Sequence, residues 1–224
     1  MSALLDTVER ETAPNPTWTV LWLHGLGADG HDFAPIVPEL LRPGWPALRF
    51  VFPHAPVRPV TINNGMRMRA WYDIAGMDFA TRADAAGVSE SVAQVEALIA
   101  REAERGVPSQ RVLLAGFSQG GAITLAVGTR RAQPLAGLIA LSTYLPDPAG
   151  LATYGTQAAK TQPVFAAHGS QDPVVPFAAG QASAQALQQA GYTVEWHSYP
   201  MAHQVCAEQI ADLTRWMDAR FGAG

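Results

Sequence analysis

The chain of 224 residues is 48% hydrophobic and 15% charged, with a formal net charge of −4. These values predict a folded domain with a sizeable core and argue against a disordered chain or a nucleic-acid-binding surface. The single cysteine, Cys206, excludes a disulfide within the chain, the acidic N-terminal stretch argues against a secretory signal, and no apolar run approaches the ~20 residues that span a bilayer. We therefore expect one domain over residues 1–224, without a membrane span, in the cytoplasm.

Apolar runs typical of buried parallel strands alternate with amphipathic stretches typical of helices along the whole chain. The predicted strands are Trp18–His24, Leu48–Pro53, Arg111–Gly116, Ala136–Leu141, Val164–His168 and Thr193–Tyr199. The helical stripes are carried by Val88, Val92, Val95 and Ile99, and by Ile210, Leu213, Trp216 and Met217. This alternation predicts an α/β fold with a mostly parallel central sheet, helices on both faces and no large cap domain.

Residues from about 54 to 84 show no clear period and are too long for a simple connection between elements. Long segments of this kind are usually functional. We therefore expect a loop insertion here that borders the active site.

The segment Gly116–Gly120 has the pattern G-x-S-x-G between a predicted strand and a predicted helix. In that context the turn holds the serine, Ser118, in a strained conformation with its hydroxyl exposed, and crowding around it requires glycine on both sides. Ser118 is therefore the candidate nucleophile.

A serine nucleophile needs a base, and in this type of fold the chain order is serine, acid, histidine. His203 lies in a loop between the last strand and the last helix, where its ring can reach over the sheet edge. His168 precedes the best acid and has the wrong order, whereas His197 lies inside a strand and is more simply structural. His203 is therefore the predicted base.

The acid that orients this base should follow a strand directly. Asp172 does so, in the loop after Val164–His168. Asp147, after the preceding strand, is the alternative acid, although a turn role between two prolines explains it adequately. Asp172 is therefore the predicted acid of the triad.

The backbone N–H of Gln119, directly after the serine, points to where an oxyanion would form. The second donor should come from the loop after an early strand, which predicts the N–H of Leu26. In the same loop, His24 and Asp29 are expected to shape the backbone through hydrogen bonds.

Residues 25–30 also match G-x-G-x-x-G, the dinucleotide-binding fingerprint, which would indicate a dehydrogenase. The second strand, however, ends in Pro53-His54 rather than in an acid, and the residues after the glycines are poor helix-starting sequence. This interpretation and that of a non-catalytic binding module on the same fold remain the alternatives to an enzyme.

Taken together, five segments resemble the bacterial carboxylesterases related to acyl-protein thioesterases and lysophospholipases, which are small α/β-hydrolases. The matching segments are Leu23–Asp29, Ala55–Asn63, Ala70–Ile74, Leu114–Ala122 and Tyr199–His203. The resemblance implies a triad of Ser118, Asp172 and His203, and an oxyanion hole formed by Leu26 and Gln119. One departure is Ala202, where the family often has glycine.

The resemblance further suggests that the long loop borders an acyl groove. The residues it would contribute are Met66, Met68, Trp71, Met77 and Phe79, with Val174 or Val175 opposite. Trp71, Met66 and Val175 are the residues we expect to bind substrate, although such apolar side chains could equally form a satellite core beneath the loop.

These inferences predict a serine esterase that hydrolyses carboxylic esters of short to medium acyl chains through an acyl-enzyme. The alternative is an acyl-protein thioesterase or a lysophospholipase with the same triad. We expect a small-molecule ester substrate, no metal, no organic cofactor and no nucleic-acid partner. The resemblance is also compatible with a homodimer.

Overall fold

The computed structural model describes residues 4–76 and 83–222. Within these ranges the strands are β1 (Thr7–Glu11), β2 (Trp18–Leu23), β3 (Leu48–Pro53), β4 (Val57–Val60), β5 (Met66–Arg69), β6 (Val112–Phe117), β7 (Gly137–Leu141), β8 (Val164–Gly169) and β9 (Val194–Tyr199). The α-helices are α1 (Val37–Leu40), α2 (Ala85–Glu104), α3 (Gln119–Gly128), α4 (Leu151–Tyr154), α5 (Phe177–Gln189) and α6 (Ala207–Phe221).

Seven strands form one sheet in the order β1-β3-β2-β6-β7-β8-β9. The edge strand β1 is antiparallel to β3, and all the other neighbours are parallel. Leu23 of β2 is in register with Gly116 of β6, and Phe117 is in register with Leu141 of β7. The carboxyl ends of the central strands therefore meet at one edge, where ligands of open α/β sheets bind.

Alternate residues of the central strands fill two cores, one on each face of the sheet. Leu21 and Leu23 belong to the core that α2, α3 and α5 cover, whereas Val20 and Trp22 belong to the core that α1 and α6 cover. Both faces are thus buried, which explains the continuous apolar runs in β2 and β6. The expected sheet with helices on both faces is confirmed.

Every residue of α3 is buried, so this helix is apolar on all sides and lies inside the protein. It begins at Gln119, directly after the candidate nucleophile. The helix that follows Ser118 is therefore a rigid support for the site.

The predicted strands agree with the observed strands to within about one residue at each end. Among the strands of the described residues, two features were missed. One is the polar strand β1, which ion pairs from Arg101 and Arg105 to Glu9 hold at the sheet edge. The other is a two-stranded antiparallel hairpin, β4-β5, inside the segment expected to be an irregular loop. Residues 77–82 of that segment lie outside the described residues.

Among the helices of the described residues, none combines the length and the apolar character needed to cross a membrane.

Candidate active site

Ser118 lies in a tight turn between β6 and α3, at the carboxyl edge of the sheet, with φ 55° and ψ −120°. A non-glycine residue in such a region stores strain of about 1–3 kcal/mol. A Cβ added at Gly116 would lie 2.3 Å from the carbonyl oxygen of Gly120, and one added at Gly120 would lie 2.4 Å from that of Leu23. The two flanking glycines are therefore required by the close approach of the backbone.

The three residues predicted as a triad are in direct hydrogen-bonding contact. The Nε2 atom of His203 lies 2.9 Å from the Oγ atom of Ser118, and its Nδ1 atom lies 2.7 Å from Oδ2 of Asp172. The residues come from three loops that follow β6, β8 and β9. The geometry permits a neutral His203 to donate from Nδ1 to the carboxylate and to accept the serine hydroxyl at Nε2.

The carboxylate of Asp172 has no solvent-exposed surface. Its Oδ1 atom accepts hydrogen bonds from the backbone N–H groups of Val174 and Val175, at 2.8 and 2.9 Å. Its Oδ2 atom is thereby left facing His203. The loop after β8 thus fixes the orientation of the acid.

An aromatic residue that the sequence analysis did not single out packs against the base. The ring of Phe117 lies 4.7 Å from that of His203 between centroids, and the ring of Phe33 lies 5.5 Å from that of Phe117. Phe117 occupies the second position of G-x-S-x-G, so the sequence contains an aromatic residue next to Ser118. Only the fold shows that its side chain reaches His203. The ring of Phe117 therefore borders the imidazole of His203 and is itself packed against Phe33.

Leu26 and Gln119 are the predicted oxyanion donors. Leu26 lies in the loop after β2, and a Cβ added at its neighbour Gly25 would lie 3.4 Å from Cβ of Ser118, directly before Gln119. Gln119 is the first residue of α3, where a backbone N–H has no partner within the helix. Its buried side chain accepts from the N–H of Trp71 and donates to the carbonyl of Tyr72, both at 2.7 Å. Its backbone is thereby anchored to the long segment after β5.

The loop that carries Leu26 is shaped by His24, as expected. The N–H of Ala55 donates to Nε2 of His24, so the ring carries its proton on Nδ1 and donates it to the carbonyl oxygen of Gly25 at 2.7 Å. Burial lowers the pKa of His24 to about 4. The ring is therefore neutral at pH 7 and serves the loop rather than proton transfer.

Asp29 also shapes this loop, accepting at Oδ1 from the N–H and the Nδ1 of His31. Among the described residues, Asp29, His31 and His54 have ligand atoms within 4.8 Å of one another. The Nδ1 atom of His54, however, already accepts the N–H of Gly30 at 3.1 Å. These side chains are thus engaged in loop hydrogen bonds, and the expectation of no metal stays a prediction.

The residues expected to bind substrate have very different exposures. Trp71 is 0% and Val175 2% exposed, and Trp71 donates from its indole N–H to the carbonyl oxygen of His24. Both are therefore core side chains, and the expectation that they border an open groove does not fit their burial. Met66 is 64% and Val174 51% exposed, so of the two valines considered it is Val174, and not the expected Val175, that has the exposure required. Met77 and Phe79 lie outside the described residues.

The alternative triad members have structural partners. His168 is buried next to the acid, with Nε2 2.9 Å from the carbonyl oxygen of Val175 and 3.4 Å from Oδ2 of Asp172, and burial lowers its pKa. His197 lies in β9 and stacks on Phe165.

Asp147, the alternative acid, accepts the N–H of Gly150 within a turn. After residues 25–30, the next α-helix is α1, which begins only at Val37. The dinucleotide fingerprint therefore lacks the helix that it requires.

Comparisons with known proteins agree on one family for this chain. The phospholipase/carboxylesterase family matches residues 7–220 of the chain. Acyl-protein thioesterase 1 of Mycosarcoma maydis is 40% identical over 218 residues, which cover 91% of each protein. Acyl-protein thioesterase 1 of Neurospora crassa is 38% identical over 226 residues, covering 97% of this chain and 90% of the relative.

Solved structures give the same result. The crystal structure of Arabidopsis thaliana SOBER1 has a TM-score of 0.85 at 33% identity, covering 91% of this chain and 98% of its own. That of Zea mays acyl-protein thioesterase 2 has a TM-score of 0.83 at 28% identity, covering 96% and 99%. These relatives are fungal and plant proteins, so they do not establish the bacterial branch that the sequence suggested. The chain has the α/β-hydrolase fold and belongs to the phospholipase/carboxylesterase family.

Proposed function

We propose that this protein is a serine hydrolase that cleaves acyl thioesters, in the manner of an acyl-protein thioesterase. The observation that carries the proposal is the continuous chain of hydrogen bonds from Ser118 through His203 to Asp172, at 2.9 and 2.7 Å. Such a chain activates a serine hydroxyl, because the imidazole accepts its proton and the carboxylate stabilises the imidazolium that forms.

In the first half of the reaction, the Oγ atom of Ser118 attacks the thioester carbonyl while His203 takes the hydroxyl proton. The tetrahedral oxyanion is held by the backbone N–H groups of Leu26 and Gln119. When the intermediate collapses, the carbon–sulfur bond breaks, and His203 returns its proton to the leaving thiolate. The acyl group is then an ester of Ser118.

In the second half, water attacks this ester while His203 accepts a proton from the water. A second tetrahedral intermediate releases the carboxylic acid, and Ser118 recovers its proton from His203. The cycle consumes one water molecule per thioester and requires no redox step. Only the neutral ring of His203 can begin either half, because the ring must accept a proton.

The thioester class is supported by the names of the relatives, several of which are acyl-protein thioesterases at 35–40% identity over about nine-tenths of both chains. Oxygen esters are the second candidate. They are supported by the crystal structure of esterase PE8, which has a TM-score of 0.83 and 26% identity to this chain. The triad chemistry is common to both classes, so the choice depends on the surface that receives the acyl chain. We assign that surface to Met66 and Val174, whose side chains are exposed.

The test compares hydrolysis of a fatty acyl thioester with that of the oxygen ester of the same acyl chain, over a series of chain lengths. We expect a larger kcat/KM for the thioester in the wild-type protein. We expect Ser118→Ala to lose at least about 10³-fold in kcat for both substrates while remaining folded. A larger kcat/KM for the oxygen ester at every length would reject the thioester assignment, and near-normal turnover by Ser118→Ala would reject the mechanism.

A further inference from the structure

The N–H of Gln119 and the carbonyl of Ser118 belong to the same peptide unit. In the mechanism above, the N–H end of this unit holds the oxyanion. The carbonyl end accepts two hydrogen bonds. One is the first helical bond of α3, from the N–H of Ala122 at 3.1 Å, and the other comes from the hydroxyl of Thr143 at 2.6 Å. The Thr143 hydroxyl thus contacts the back of the amide whose front faces the reaction.

Thr143 is held in this position by the end of β7. Leu141, the last residue of β7, accepts the N–H of Ser118 at 2.9 Å, so β7 and the turn after it contact the nucleophile residue at its N–H and its carbonyl, respectively. Between them lies Ser142, a buried residue with φ 45°, in the left-handed region that few non-glycine residues adopt. Its N–H is tied to the carbonyl of Ala167 at 2.8 Å. This fixed turn directs Thr143 at the carbonyl of Ser118.

The second oxyanion amide is arranged in the same way. The N–H of Leu26 shares its peptide unit with the carbonyl of Gly25, and that carbonyl accepts Nδ1–H of the buried His24 at 2.7 Å. Each of the two donors that face the oxyanion is therefore backed by a buried side-chain donor. Two unrelated loops converge on one arrangement, which points to a shared purpose.

We propose that Thr143 is a positioning residue of the oxyanion hole, acting on the Gln119 amide through the carbonyl of Ser118; this rests on the proposed function. A hydrogen bond donated to an amide oxygen draws electron density from the nitrogen, which makes the N–H of the same unit a stronger donor. It also holds the peptide plane at the angle the oxyanion needs, so that no reorganisation is required during the reaction.

The size of the effect follows from two general magnitudes. One oxyanion donor contributes about 10²–10³ in kcat, and cooperative polarisation strengthens a hydrogen bond by about 10–30%. Removing the Thr143 hydroxyl should therefore reduce kcat about two- to eightfold. The KM should change little, because the amide contacts the oxygen mainly once it is negatively charged.

Thr143 could also act through packing, and the experiment must separate that role from the hydrogen bond of its hydroxyl. A Cβ added at Gly121 would lie 2.7 Å from both Cβ and Cγ2 of Thr143, so the side chain also packs tightly on α3. Thr143→Val keeps the shape and removes the hydroxyl. Thr143→Ser keeps the hydroxyl and removes the methyl group, and Thr143→Ala is a second variant without the hydroxyl in case the valine variant does not fold.

The experiment measures kcat and KM of wild type and the three variants on one acyl substrate. It also measures inhibition by a trifluoromethyl ketone with the same acyl chain, which forms a tetrahedral adduct with Ser118 whose oxygen occupies the oxyanion hole. We expect Thr143→Val and Thr143→Ala to lower kcat and to reduce the affinity for the ketone inhibitor by the same factor, with KM near that of wild type. We expect Thr143→Ser to behave as wild type.

The proposal would be overturned by a folded Thr143→Val whose kcat and ketone affinity match those of wild type. It would also be overturned by a Thr143→Ser that loses as much kcat as Thr143→Val, since the methyl group would then be responsible. If wild type itself neither hydrolyses the substrate nor reacts with a fluorophosphonate, the proposed function fails instead. If wild type is active but the Thr143 variants do not show the expected changes in kcat and ketone affinity, only the role of Thr143 is refuted.

Discussion

Replacing Asp172 by asparagine tests how the acid controls the base. In the wild-type protein, Oδ1 of Asp172 accepts two backbone N–H groups, of Val174 and Val175, while Oδ2 faces Nδ1 of His203. An asparagine can satisfy the two N–H groups only with its carbonyl oxygen. Its NH₂ group then points at His203, which must present a lone pair at Nδ1 and carry its proton on Nε2. In that tautomer the ring cannot accept the proton of Ser118.

The expected loss is large, because the base is present but holds its proton on the wrong nitrogen. The same substitution in a serine protease triad lowers kcat about 10⁴-fold, and we expect a loss of about 10³–10⁴-fold for Asp172→Asn. The KM should change little, since the substituted atoms do not contact the substrate. Initial rates with an acyl thioester at saturating concentration measure the effect, and a thermal melt checks that the variant is folded.

Asp147→Asn is the matched control. Asp147 is the other acid that the sequence allowed, and its Oδ1 atom accepts the N–H of Gly150, a bond that an asparagine oxygen can also accept. This variant should retain wild-type kcat. The reasoning is refuted if Asp172→Asn keeps near-normal activity, or if Asp147→Asn loses as much as Asp172→Asn.

Three further outcomes follow from the structure. Gly116→Ala should lower the unfolding free energy by about 3 kcal/mol or more and abolish activity, because its Cβ would lie 2.3 Å from the carbonyl oxygen of Gly120. Urea unfolding measures the loss of stability, and labelling of Ser118 measures the loss of reactivity. Glu102→Gln should lower the unfolding free energy by about 3 kcal/mol, because this fully buried carboxylate pairs with Arg49. It should not change kcat, because the pair lies at the amino end of the sheet, away from the site. Urea unfolding measures the first effect and initial rates measure the second. Acidification should lower the stability of the protein through His24, because burial depresses the pKa of this ring from 6.5 to about 4 in the folded state. The contribution of His24 to the unfolding free energy is complete above pH 6.5, the pKa in the unfolded chain, and is lost as the pH falls towards 4. The full difference is about 3 kcal/mol. Unfolding free energies at pH 7 and pH 5 should differ by about 2 kcal/mol of this total, because only the part between pH 6.5 and pH 5 is then sampled.

Each of these outcomes has its own control. Gly65→Ala, at a position with nothing within 4 Å of the added Cβ but with φ +73°, should cost less than Gly116→Ala and keep activity. Equal kcat losses for Glu102→Gln and a triad variant would contradict the separation of stability from catalysis. For His24, the variant His24→Asn keeps a donor for Gly25 and should show a smaller decline between pH 7 and pH 5; an unchanged decline would show that other groups cause it.

The parts of this fold that the sequence predicted are those with a strong local signal. The central strands are continuous apolar runs because both faces of the sheet are covered, and this pattern is visible without any partner. The contact between Ser118, Asp172 and His203, the proposed triad, was predictable because each residue follows a strand, and parallel strands bring such loops to one edge. Chain order then separated Asp172 and His203 from the other acids and histidines.

The parts that were missed depend on contacts far apart in the chain. Strand β1 is polar, and its pairing with β3 and the ion pairs of Glu9 join segments that are separated by tens of residues. Trp71 has the composition of a groove residue, yet its burial depends on Gln119 and His24, which hold it through hydrogen bonds. No local pattern marks Thr143, because its role arises from where β7 ends beside Ser118.

The central claim, that Ser118 is the activated nucleophile of a hydrolase, is tested most directly by stoichiometric labelling with a fluorophosphonate and mapping of the modified peptide by mass spectrometry. We predict one label per chain, on Ser118, with thioester hydrolysis falling in proportion to the labelled fraction. Ser118→Ala should take up no label. The account is contradicted if the fully labelled protein still hydrolyses the thioester, or if activity falls while the label maps to a residue other than Ser118.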